Sequence, residues 1–133
     1  MLNNLRILLA VDSDPLYAQR SSFFTPSERA QRQLQTFGAI VSIAEDETDF
    51  LHKVASGSYQ LALIDSHFDW TDLRKPVQEA RKYGATSVVL VNDKLSDISD
   101  YIAFTGEKRV MPIDHKRVHP ILREYLTVLA KIA

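Results

Sequence analysis

An acid or its amide closes each of five short apolar runs in this 133-residue chain. The runs are Arg6-Ile-Leu-Leu-Ala-Val-Asp12, Ala39-Ile-Val-Ser-Ile-Ala-Glu45, Leu61-Ala-Leu-Ile-Asp65, Ser87-Val-Val-Leu-Val-Asn92 and Arg109-Val-Met-Pro-Ile-Asp114. Runs this short and this apolar suit strands buried on both faces, as in a parallel sheet covered by helices. Carboxylates at their C-terminal ends then converge where open α/β sheets place their sites. Other chemistry is poorly supplied. The absence of cysteine excludes a thiolate metal site, a cysteine nucleophile and a disulfide framework. Histidines are few and scattered, without metal-site spacing. His67, beside Asp65, could act as a base or ligand, or be a solvated loop side chain.

The segments between these runs carry helical punctuation. Thr25-Pro26-Ser27-Glu28 has the form of a capping box, Ala30, Leu34 and Phe37 follow at helical spacing, and Gly38 supplies a stop. A second helix is predicted from about Thr48 to Ala55, with Phe50, Leu51 and Val54 inward and Gly57 ending it. A third is predicted from Thr71 to Tyr83, burying Leu73, Val77 and Ala80 ahead of Gly84. A weaker fourth spans Ser96 to Phe104, and the fifth carries a stripe from Val118 to Leu129 with Pro120 in its first turn. Five β-α repeats imply right-handed crossovers and a flavodoxin-like α/β fold, with a five-stranded parallel sheet of order 2-1-3-4-5 and helices on both faces. The segment 15–25 is longer than such a connection needs and reads as an insertion.

Bulk properties narrow the function classes. Residues 1–133 read as a single domain, 45% hydrophobic and 25% charged, as in ordinary soluble proteins. A formal net charge of −1 gives no electrostatic footprint for nucleic acid or a membrane surface. No run approaches the ~20 apolar residues that span a bilayer, and no secretion signal is legible, so a cytoplasmic location is expected.

Taken in order, Ile-Leu-Leu-Ala-Val-Asp12-Ser-Asp14-Pro, Tyr59-Gln-Leu-Ala-Leu-Ile-Asp65, Ser87-Val-Val-Leu-Val-Asn92 and Val110-Met111-Pro112-Ile resemble the receiver domain of two-component response regulators, the CheY-like family. The resemblance spans roughly Arg6 to Ile132. It implies that Asp65 stands at the position of the aspartate that accepts a phosphoryl group from a histidine kinase. It also implies a Mg²⁺ site, since an anionic carboxylate must approach an anionic donor and oxygen ligands suit that ion. Asp12, Asp14 and Asp65 are the candidate ligands, although Asp14-Pro15 would equally start a turn.

The chain departs from the family at three positions. Ser13 replaces the second acid of the metal-binding pair. Asn92 stands where a Thr or Ser bonds the phosphoryl group, and Met111 where a Lys pairs with it. Lys108 has the wrong strand parity to replace that lysine, and Arg109 lies about 6–7 Å back along the strand. Pro112 is retained as a structural residue, and the resemblance implies a cis Met111–Pro112 bond. The expectation is therefore an atypical receiver, not an enzyme. It acts through protein partners (a histidine kinase, its own linked domains within a larger signalling protein, or a second copy), with phosphorylation impaired or absent. The face expected to serve them includes Tyr101, Lys108, Arg117, Arg123 and Tyr125, and Trp70 is either a contact residue or packed against the third helix. The alternative is a working phospho-accepting receiver with a modified Mg²⁺ site. A more remote one follows from Asp12-x-Asp14, which is similar to the nucleophile motif of haloacid-dehalogenase-type phosphatases. Leu16 stands where that family needs Thr or Val.

Overall fold

The structure, a computed structural model, describes residues 5–10, 31–32, 34–36, 38–66, 68–91 and 98–112. Asp12, Ser13, Asp14, the 15–25 insertion, His67, Asn92 and the expected fifth helix, with Arg117, Arg123 and Tyr125, lie outside them. Five strands form one sheet: β1 (Arg6–Ala10), β2 (Ile40–Ile43), β3 (Leu61–Asp65), β4 (Thr86–Val91) and β5 (Val110–Pro112). Their order is β2-β1-β3-β4-β5 and every pairing is parallel, as the flavodoxin-like reading requires. Three helices have described bounds: α1 (Glu47–Val54), α2 (Arg74–Lys82) and α3 (Ile98–Thr105). Residues 31–32 and 34–36 are helical as well.

Strand alternation splits the core into two layers. Ile7, Leu9, Leu61, Leu63, Val88 and Leu90 face one side, where Leu34 covers them. Leu8, Ala10, Ala62, Ile64, Val89 and Val91 face the other, against Phe50 and Val54 of α1 and Val77 and Ala80 of α2. Each fully buried aliphatic or Phe side chain contributes about 1.5–3 kcal/mol. This two-sided burial is why the strands read as continuous apolar runs rather than alternating ones.

Local chemistry sets the helix limits. The Asp46 carboxylate caps α1 by accepting from Asp49 N–H at 2.7 Å, while Asp49 accepts from Glu45 N–H at 2.9 Å and from Lys53 Nζ at 2.9 Å. α2 starts at Arg74 rather than Thr71. The Thr71 hydroxyl donates to Glu47 at 2.8 Å, and Asp72 accepts from Arg74 N–H at 3.0 Å, so both side chains hold a turn ahead of the helix. Pro76 falls in the first turn of α2, where no N–H is needed. At its other end Gly84 takes φ +83°, letting Ala85 N–H reach Ala80 O at 2.8 Å. Among the described residues no peptide bond is cis, so Met111–Pro112 is trans. An X-Pro bond separates its isomers by only about 0.5–1 kcal/mol, and the residue pair alone does not fix the choice.

Candidate functional site at the carboxyl end of β3

Asp65 ends β3 with no solvent exposure. Its position follows from the run before it: four apolar residues pair on both sides, with β1 and with β4. Ala10 lies beside Ile64, so β1 and β3 finish together at this end of the sheet. Asp65 is in register with Leu90, and Leu90 with Met111. In a parallel sheet, register partners share a face. The backbone of Met111 therefore sits two strands away from Asp65 in the same lateral row, about 10 Å at the usual interstrand spacing.

The loop leaving β3 is tied down. Ser66 N–H donates to Leu90 O at 2.8 Å, extending the β3–β4 ladder by one residue. The Asp65 main-chain carbonyl accepts from Phe68 N–H at 3.1 Å and from the Trp70 indole N–H at 2.7 Å. The Trp70 ring meets Phe50 edge-on, with centroids 5.1 Å apart, and lies 4.6 Å from Phe68. Of the two readings of Trp70, the geometry supports packing: the indole braces the loop that carries Asp65. Ser66 Oγ is buried and has no hydrogen-bond partner among the described residues.

Of the expected site residues, the structure describes Asp65 and the backbone of Met111 and Pro112; Asp12, Ser13, Asp14 and Asn92 fall outside the described residues. Among the described residues no three His, Asp or Glu side chains converge on a point. Asp65 alone supplies at most two of the oxygen ligands that Mg²⁺ takes, and the other candidates, Asp12 and Asp14, lie outside the described residues. Arg109 is directed elsewhere. Its guanidinium donates to Glu107 at 3.3 Å, at the opposite end of β5 from Pro112.

That second cluster was not anticipated from sequence. Glu107 is 1% exposed and lies between α3 and β5. It accepts hydrogen bonds from the Ser87 hydroxyl, from Arg109 N–H at 3.0 Å and from Arg81 Nη2 at 3.2 Å. Burial pushes the Glu107 carboxyl upward. The bonds from Ser87 and Arg109 N–H and the charge of Arg81 outweigh it and hold the group below its ordinary range. The available signal was Ser87 itself, a polar residue opening an otherwise apolar buried run. Among the described residues no helix is long and apolar enough to cross a membrane.

Solved structures similar to this chain include receiver domains. A CheY-like response regulator receiver domain protein from Methanospirillum hungatei is 18% identical over 98% of this chain and 100% of that one, with a TM-score of 0.62. The chemotaxis protein CheY4 of Vibrio cholerae is 13% identical over 98% and 99%, at 0.70. A response regulator from Burkholderia pseudomallei, solved with a phosphorylated aspartic acid, a calcium ion and citrate, is 15% identical over 98% and 74%, at 0.64. The chain has the CheY-like receiver fold. No family model matches it, and no curated protein does.

Proposed function

We propose that this chain is an atypical receiver module of two-component signalling that works through protein–protein contacts, with phosphoryl transfer to Asp65 impaired or absent. The observation that carries the proposal is the setting of Asp65, a fully buried acid in a lateral row whose β5 member is Met111. In the receivers it resembles, a lysine at that β5 position offsets the charge of the incoming phosphoryl group. A thioether has no charge and no donor to offer. Ser13 and Asn92, read from the sequence, point the same way. On this reading Mg²⁺ binding through Asp12, Asp14 and Asp65 is weak, the chain is no enzyme, and its cytoplasmic partners are a histidine kinase, linked domains or a second copy.

One observation favours the alternative of a working phospho-acceptor: the acid at the end of β3 is retained, and the Burkholderia neighbour holds a phosphorylated aspartic acid. Intact-mass spectrometry after incubation with acetyl phosphate and Mg²⁺ separates the two. We expect no adduct on the native chain, and an adduct on the Ser13→Asp/Met111→Lys variant that Asp65→Asn abolishes. A near-stoichiometric adduct on the native chain, lost in Asp65→Asn, would overturn the proposal.

A further inference from the structure

The solvent face of α2 is strongly basic. Arg74, Lys75, Gln78, Arg81 and Lys82 are all exposed and recur at i, i+1, i+4, i+7 and i+8, while Pro76, Val77 and Ala80 are buried on the other side. Two contacts join this stripe to the neighbouring elements. The Arg74 guanidinium lies 4.9 Å over the ring of Phe104 in α3, which is 52% exposed. Arg81 donates to Gly106 O at 2.7 Å and to Glu107, which also receives Arg109. Lys108 and Arg109 are exposed at the same edge. Among the described residues the surface thus carries Arg74, Lys75, Arg81, Lys82, Lys108 and Arg109 against the carboxylates of Asp72, Glu79, Asp100 and Glu107. That local positive excess sits in a chain whose formal net charge is −1.

Glu107 gives the patch its order. A single buried carboxylate holds two guanidiniums that remain 49% and 54% exposed. Both are anchored on one side and keep donors towards solvent, so they lose less side-chain freedom on meeting an anion than free arginines would. We infer that the outer face of α2, with Phe104 and the Glu107-held pair Arg81 and Arg109, docks an acidic segment of a protein partner. Charge complementarity selects carboxylates, and Phe104 offers one apolar contact among the cations. The stripe is about 12 Å long at 1.5 Å rise per residue. It matches two or three turns of an acidic helix or a few extended residues, and is short for a nucleic-acid track. One face of Phe104 is already covered by Arg74, which leaves less of the ring for stacking a base. The inference does not depend on phosphoryl chemistry at Asp65.

Fluorescence anisotropy of a labelled 16-residue peptide of alternating Glu and Leu blocks, titrated with the full chain, tests it. A labelled single-stranded DNA 20-mer runs in parallel. We expect saturable peptide binding at 25 mM salt, weakened at least tenfold by Lys75→Glu/Lys82→Glu and weakened again at 150 mM salt. Arg6→Glu, an exposed cation away from the patch, and Asp65→Asn should leave binding unchanged. Lys75 and Lys82 are exposed, so the double variant should keep its circular dichroism spectrum. Absence of peptide binding at 25 mM salt, equal binding by the double variant, or tighter binding of the DNA through the same lysines would each overturn the inference.

Discussion

Replacing Glu107 by glutamine isolates the charge of the buried acid from its shape. The carboxylate accepts from Arg109 N–H and Nη1 on Oε1, and from Ser87 and Arg81 on Oε2. Glutamine keeps one acceptor. If its oxygen faces Arg109, its amide nitrogen faces Ser87, whose hydroxyl can rotate to accept. Arg81 then loses its bond to the side chain, though it keeps Gly106 O at 2.7 Å. Both arginines are about half exposed and can be rehydrated, so the loss falls below the 3–5 kcal/mol of a fully buried broken pair. Exchanging charge-assisted bonds for neutral ones leaves about 1–2 kcal/mol, or a fall in Tm of roughly 3–8 °C for a domain of this size. The dependence on pH is diagnostic. The folded-state pKa of Glu107 lies below its ordinary value of 4.5. Its stabilisation is therefore complete above about pH 4.5 and is lost as pH falls through the folded value. Urea denaturation of both proteins between pH 7 and pH 3 should show a gap that is constant at neutral pH and closes in acid, because protonated Glu107 resembles Gln. The other carboxylates are common to both proteins and cancel. Equal stability at pH 7, or a gap that persists undiminished at pH 3, would refute the reasoning.

Three further outcomes are expected. Trp70→Phe removes the indole bond to Asp65 O while keeping a ring against Phe50, and should cost about 1 kcal/mol by urea denaturation; Trp70→Ala should cost about 3 kcal/mol. Asp46→Ala should lower stability by about 1 kcal/mol through loss of the α1 cap, with Asp46→Asn recovering most of it. Gly84→Ala should cost about 1–2 kcal/mol although nothing lies within 4 Å of the added methyl, because the whole penalty comes from φ +83°.

The sheet was legible because its signals are local. Each strand is a short apolar run, each described crossover contains a helix ended by a glycine, and parallel pairing in the order 2-1-3-4-5 follows from right-handed connection of such units. Legibility declined where side chains competed with the backbone. Thr71 looked like a helix start, yet its hydroxyl is engaged by Glu47, which lies 24 positions earlier in the chain. The α1 cap is hard to read for a related reason: Asp46-x-x-Asp49 lacks the Glu or Gln usual at the fourth position, and Asp49 accepts from Glu45 N–H, one residue before the cap, rather than from the cap's own N–H. The expected site was legible at Asp65 alone among the described carboxylates, since a strand-end acid after four apolar residues is itself a local pattern.

Glu107 shows why the rest was hidden. Its side-chain partners Ser87 and Arg81 lie 20 and 26 positions away, and no spacing rule connects an acid after a helix-ending glycine to a serine opening another strand. Only the fold brings them together, by placing β4 beside β5 and α2 against α3. The consequence reaches the functional reading. Asp65 and Glu107 are both buried acids, but they belong to different parts of the sheet: Asp65 at the C-terminal end of β3, and Glu107 before the start of β5 and bonded to the second residue of β4. Glu107 is matched by two guanidiniums and a hydroxyl, whereas the register row of Asp65 runs through Leu90 to the backbone of Met111. The guanidiniums of Arg81 and Arg109 are thus committed to the acid at the end of the sheet away from Asp65, so the basic surface and the strand-end acid can be tested independently of each other.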